Sequence, residues 1–123
     1  MDKWQGLQSF WGSFDLPAYD ENSVPDGAVM PYITYSAAVG AFEDVVPLSA
    51  SVWYRDSSWE TISKKVDEIS QRLDGWALVQ LEDHQYIFLA KNRNSVFGQR
   101  MSDVDDMVKR VYLNLFGEYF TRY

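Results

Sequence analysis

The chain has 123 residues, enough for a single domain with its own hydrophobic core, and its 46% hydrophobic and 24% charged content is ordinary for a globular protein. It has no cysteine and one histidine, which excludes a disulfide framework, thiolate chemistry, zinc–sulfur sites and a multi-histidine metal centre. The net charge of −7 sits mainly in residues 1–56, with two basic and eight acidic side chains; this argues against broad nucleic-acid or anionic-membrane binding, which needs clustered Lys and Arg.

In chain order, Trp4, Leu7, Phe10, Trp11 and Phe14 recur at three- and four-residue steps and predict a short N-terminal helix within residues 1–14. This segment, "MDKWQGLQSFWGSF", is amphipathic and lacks the apolar core and cleavage site of a signal peptide. No run approaches the length of a membrane span, so the expectation is a soluble protein that is intracellular when made. Residues 15–31 hold three of the four prolines and an Asp26-Gly27 turn signal, and they read as a surface loop. "YITYSAAV" and "VVPLSASVWY" read as strands joined by "GAFEDV". In the second, Val46, Leu48, Ala50, Val52 and Tyr54 face one way and Ser49, Ser51 and Trp53 the other.

Residues 58–73 give the clearest element, an amphipathic helix whose stripe is Trp59, Ile62, Val66, Ile69 and Leu73. Ser57 and Glu60 have the spacing of a capping box, and Asp74-Gly75 is a stop signal. "WALVQL" and "QYIFLAK" then suggest a hairpin turned by Glu82-Asp83-His84, followed by an irregular polar stretch. Residues 107–120 fit either a strand or a helix by pattern. Their density of Val, Tyr, Leu and Phe favours a strand, with Tyr112, Asn114 and Phe116 on the reverse of Val111, Leu113, Leu115 and Tyr119. At ~3.3 Å per residue such a strand would exceed the ~35 Å diameter of a compact domain of this size, so it should bend near Gly117 or project toward a neighbour. The whole, residues 1–123, reads as one α+β domain. An antiparallel or mixed sheet and its main helix (about 58–73, packed on one sheet face) occupy residues 32–121, and the short N-terminal helix precedes them.

The sequence offers little for catalysis. Asp103, Asp105 and Asp106 do not match an EF-hand loop, because Val108 and Asn114 stand where Gly and Glu are required. Three neighbouring aspartates on one loop do not converge into a two-metal site by themselves, and aspartates there serve turns and element starts. His84 sits in a polar turn without a placed partner, and no nucleophile elbow, phosphate loop or dinucleotide fingerprint occurs. No catalytic residue, cofactor or metal is assigned. The aromatic content of 16% is more than so small a domain hides easily, which points to rings facing partners. Candidate contact residues are Arg55, Arg93 and Arg100, the aspartates 103, 105 and 106, and Tyr112, Phe116 and Tyr119 of the last segment. Asp20, Glu21 and Asp26 form a separate acidic group.

Three stretches in order, "PYITYSAAVGAF", "LSASVWYRDSSWETISKKVDEISQRL" and "FGQRMSDVDDMVKRVYLNLFGEYF", resemble the tail terminator, or tail completion, proteins of the neck modules of long-tailed phages and prophages of Gram-positive bacteria. The resemblance spans residues 30–121 and contains no catalytic motif. It implies a non-enzymatic virion part on an α+β fold. Such a part forms a homo-oligomeric ring, commonly a hexamer, that caps the head-proximal end of the tail tube and joins it to the head connector, and neighbouring subunits extend each other's sheets. The implied partners are further copies of itself, the tube protein and connector proteins, with no specific nucleic acid and no membrane. The implied setting is the host cytoplasm during assembly and then the virion, and Asp20, Glu21 and Asp26 would face the lumen. Competing readings are another head-completion protein, a small acidic inhibitor, and a metal-dependent nuclease built on residues 103–106.

Overall fold

The final segment organises the molecule. In the computed structural model, which describes residues 1–123, Val108–Phe120 is a single strand in which buried and half-buried residues alternate from Lys109 onward. Odd positions from Val111 to Tyr119 enter the core and even positions face away, the period expected of a pleated strand. The elements in order are α1 (Lys3–Gly12), β1 (Ala18–Asp20), β2 (Tyr32–Tyr35), β3 (Asp44–Arg55), α2 (Glu60–Arg72), β4 (Ala77–Gln80), β5 (Tyr86–Lys91), β6 (Gly98–Met101) and β7 (Val108–Phe120). They build a seven-stranded mixed sheet with the order β1-β2-β3-β7-β5-β4, in which β6 also pairs with β7. Only β1 and β2 run parallel; the other pairs are antiparallel. The α+β expectation holds.

Of the two ways to fit a strand as long as β7, projection as a free edge is not the one taken. β3 pairs with it from Arg55↔Val108 to Asp44↔Tyr119, and β6 and β5 divide its other side between them. Gly117 is needed for space, since a Cβ there would lie 2.9 Å from Leu48 Cδ1 and 3.3 Å from the Tyr119 ring. Pro47 is tolerated for a related reason. Ser49 turns its N–H to Ser36 Oγ and its carbonyl to the Ser36 N–H. Pro47, two residues earlier, therefore faces the same side, beyond the end of β2, and its missing N–H costs no bond to β7.

Both helices lie on one face. Leu7, Phe10, Trp11 and Phe14 of the first helical segment and Ile62, Ile69 and Leu73 of the second join strand residues in one cluster of 22 buried residues. α1 touches both edge strands, β1 and β4, while α2 covers β3 and β7. Lys65 Nζ donates to the Phe14 carbonyl at 2.7 Å and ties the two helices together.

Several local expectations are corrected. The Ser57–Glu60 capping box does not form. α2 begins at Glu60 with Trp59 as its cap, and the Ser58 hydroxyl accepts the Glu60 N–H. A capping box exists instead on α1, between Asp2 and Gln5. Trp4 leaves the buried stripe and is 53% exposed. The loop 15–31 contains the short strand β1, and the polar stretch after β5 contains β6. The hairpin turn at Glu82-Asp83-His84 is as expected, with positive φ at Asp83 and His84.

Candidate functional site

Because both helices occupy one face, the other face of the sheet carries no covering element. Alternation along each strand places Tyr19, Tyr32, Trp53, Tyr112, Phe116, Phe120, Tyr86 and Phe88 there. Trp76 joins them by stacking on Phe88. The rings associate with one another rather than with a core. Tyr32 bridges Tyr19 and Trp53, with centroids 5.7 and 6.3 Å away, and Phe88 bridges Trp76 and Phe116 at 6.0 and 6.3 Å. Tyr86 stacks on Phe120 at 4.7 Å. Each is half-buried except Trp76, which is 55% exposed, and Val45 and Leu78 stand exposed beside them.

Charge is scarce on this face. Among strand residues pointing outward, the charged side chains are Arg55, Arg110 and Glu118. Arg55 is neutralised by Asp105 at 3.0 Å. Arg110 has no carboxylate partner. Its Nε donates to Ser51 Oγ at 3.0 Å, and its guanidinium lies 4.7 Å from the Trp53 centroid and 5.9 Å from that of Tyr112. Glu118, between Val45 and Phe88, makes neither an ion pair nor a side-chain hydrogen bond. Aromatic enrichment with charge depletion is the signature of the buried centre of a protein interface.

The aspartates of residues 103–106 have structural employment. Asp103 Oδ1 accepts the Asp105 N–H at 3.0 Å, and Asp105 Oδ1 accepts the Met107 N–H at 2.9 Å. That second bond, with help from the Arg55 guanidinium, holds the Asp105 carboxyl below the usual aspartate range. The Asp106 carbonyl accepts from Lys109 Nζ. These bonds turn the chain out of β6 and into β7. Arg100 and Lys109 lie near the Trp59 ring, at 4.9 and 5.5 Å, at the same end of the sheet but on its helix side.

Of the residues chosen from the sequence, Arg55, Arg100 and the three aspartates gather at this end. Tyr112 and Phe116 belong to the aromatic face. Arg93 is exposed in the loop after β5, apart from both groups. Tyr119 is corrected: its ring is fully buried on the helix side, its hydroxyl donates to the Ala38 carbonyl at 2.7 Å, and burial pushes its pKa up to about 12. It is a core residue and offers nothing to a contact surface. Asp20 lies in β1, half-buried, where its charge adds to burial in raising the Tyr35 pKa, and Glu21 and Asp26 are exposed on the following loop. Sequence reasoning passed over Trp53, Arg110 and Glu118. The signal for them was present in the same period-two pattern, which gave the outward side of both long strands.

No protein-family model and no curated protein matches the sequence. Among solved structures, a chain from the virion of a native gene transfer agent particle is similar, with a TM-score of 0.57 and 18% identity, over 92% of this chain and 83% of that one. At that identity the likeness is one of fold.

Proposed function

We propose that this chain is a structural virion protein that caps the head-proximal end of a phage-type tail tube as a ring, commonly a hexamer, and joins it to the head connector. The observation that carries the reading is the likeness in fold, along nearly the whole chain, to a component of a gene transfer agent virion. The uncovered aromatic face supports it, because covering such a face releases apolar surface from water and favours association. The outer sides of β1 and β4 pair with no other strand of this chain, which leaves both edges available to subunits that extend one another's sheets. The employment of Asp103, Asp105 and Asp106 in the β6–β7 turn favours a part that acts by shape over a nuclease built on them. On this reading the protein works first in the host cytoplasm and then in the particle. The acidic group of Asp20, Glu21 and Asp26 lines the lumen, where a negative field keeps passing DNA from adhering.

Inactivating the gene in a producing strain tests this. Tails of uncontrolled length and heads left unjoined are expected by electron microscopy, and particles of normal length and joining would refute the assignment. Complementing the strain with Asp20→Lys, Glu21→Lys and Asp26→Lys together is expected to restore joined particles that deliver DNA poorly. Normal delivery would remove the lumen from the proposal.

A further inference from the structure

We infer that the uncovered face is self-complementary, and that free subunits pair through it as two-fold dimers, sheet against sheet, with their β7 strands antiparallel. Two charges on this face have no ion-pair partner. Arg110 and Glu118 both point outward from β7, four residues to either side of Asn114. A two-fold axis that crosses the strand at Asn114, within the plane between two facing sheets, sets position 114 + n of one copy against 114 − n of the other. Arg110 then meets the Glu118 of the second copy, and its own Glu118 meets that copy's Arg110. An isologous interface requires this reciprocity.

The same axis settles the apolar residues. Tyr112 comes opposite Phe116 of the second copy. On β3, Ser49 lies level with Asn114, so Val45 comes opposite the second copy's Trp53. Val45 is 60% exposed in the single chain and would be covered by an indole. The alternative two-fold axis, parallel to β7, sets Arg110 against Arg110 and Glu118 against Glu118, and like charges facing each other oppose association. Charge therefore selects the antiparallel arrangement.

The overlap is modest. About this axis β3 faces β3, β7 faces β7 and β5 faces β6, three strand columns at ~4.8 Å over the ~26 Å from Arg110 to Glu118, or about 375 Å² per copy and about 750 Å² in all, the size of a weak, transient pair. A dimer of this kind covers the centre of the aromatic face, on β3 and β7, in the free protein and leaves the rings of β1 and β2 outside it. Assembly partners would gain access to it by mass action once they are present.

The test is the native mass of the purified full-length chain over a concentration series, by light scattering or sedimentation. The wild-type chain is expected to reach a dimer. Arg110→Glu and Glu118→Arg should each weaken the dimer by at least about tenfold, and the two together should restore it, because the swapped pair is again complementary. A dimer insensitive to either reversal, a double variant no better than the singles, or a wild-type chain that stays monomeric or forms only larger rings would overturn the inference. Since the chain lacks cysteine, Asn114→Cys gives an independent reading. A short bis-maleimide should link it to itself across the axis, whereas Val104→Cys, fully exposed in the β6–β7 turn, should not link. Equal linking of both would also overturn it. None of these measurements involves a virion, so failure here and failure of the tail-terminator reading are separate results.

Discussion

The helix side and the bare side of this sheet contain the same kinds of side chain in different physical states. On the helix side, Trp11 packs edge-on to Phe10 with centroids 4.9 Å apart, and Leu113 and Tyr119 are fully buried. On the bare side, Trp53 leans on Tyr32 and Phe88 on Phe116, and each ring keeps part of its surface in water. The contrast teaches that aromatic content alone does not locate a core. A ring contributes to folding when an element covers it, and otherwise its burial is still available for association.

Neighbours in sequence can measure that difference. Leu113→Ala removes a fully buried side chain at the centre of β7 and is expected to cost about 3–5 kcal/mol, since the surrounding strands and helix cannot collapse into the space. Phe116→Ala, three residues on and facing out, should cost the monomer about 1 kcal/mol, because most of the lost contact is with other half-exposed rings. Urea midpoints of the two variants, taken at low protein concentration, check this. Similar losses would mean that the bare face belongs to the fold and not to an interface.

How far the sequence revealed these faces follows from where the information lies. Alternation in β3 and β7 is a local property of the chain, so the two faces of each strand were legible from the residues. Which face the helices would choose depends on tertiary placement, and period-two spacing cannot supply it. Tyr119 was misjudged for that reason: pattern put it correctly beside Leu113 and Leu115, but a terminal strand imagined as a free edge left it exposed. β1 and β6 were missed because each is only three or four residues long and made of side chains such as Asp20, Gln99 and Arg100. Such short strands exist through pairing with β2 and β7, not through propensity. Trp59 displaced the expected cap by two residues, its carbonyl taking the first intrahelical bond from Ser63.

A pH scan sharpens the comparison on the covered side. The Tyr119 pKa of about 12 in the fold lies above the value near 10 of an unfolded tyrosine. The folded chain therefore keeps a proton that the unfolded chain releases, and the unfolded state gains as pH rises above about 10. Stability should fall between about pH 10 and 12, by on the order of 2–3 kcal/mol in total. Tyr119→Phe should lose part of that alkaline slope. At neutral pH it should cost about 1 kcal/mol, because the Ala38 carbonyl loses its donor. The remaining slope would come from Tyr35 and Tyr54, which burial also raises. Parallel pH profiles for the parent and Tyr119→Phe would contradict the buried hydroxyl.

The smallest effect is expected at the margin of the bare side, where Arg55 is held by Asp105. The Asp105 carboxyl is lowered first by the Met107 N–H and then by Arg55. A depressed carboxyl stabilises the fold above its unfolded value and loses that contribution as pH falls through the folded value. Asn at this position can still accept the Met107 N–H, so Asp105→Asn should barely move the urea midpoint at pH 7 and should flatten its decline in acid. Carboxyl chemical shifts followed through an acid titration give the sharper reading. Asp105 should titrate below an ordinary aspartate, because its carboxylate accepts the Met107 N–H and pairs with Arg55. An Asp105 carboxyl titrating well above the usual range would be the mark of like charges forced together, and it would return the acidic turn to consideration as a chemical site.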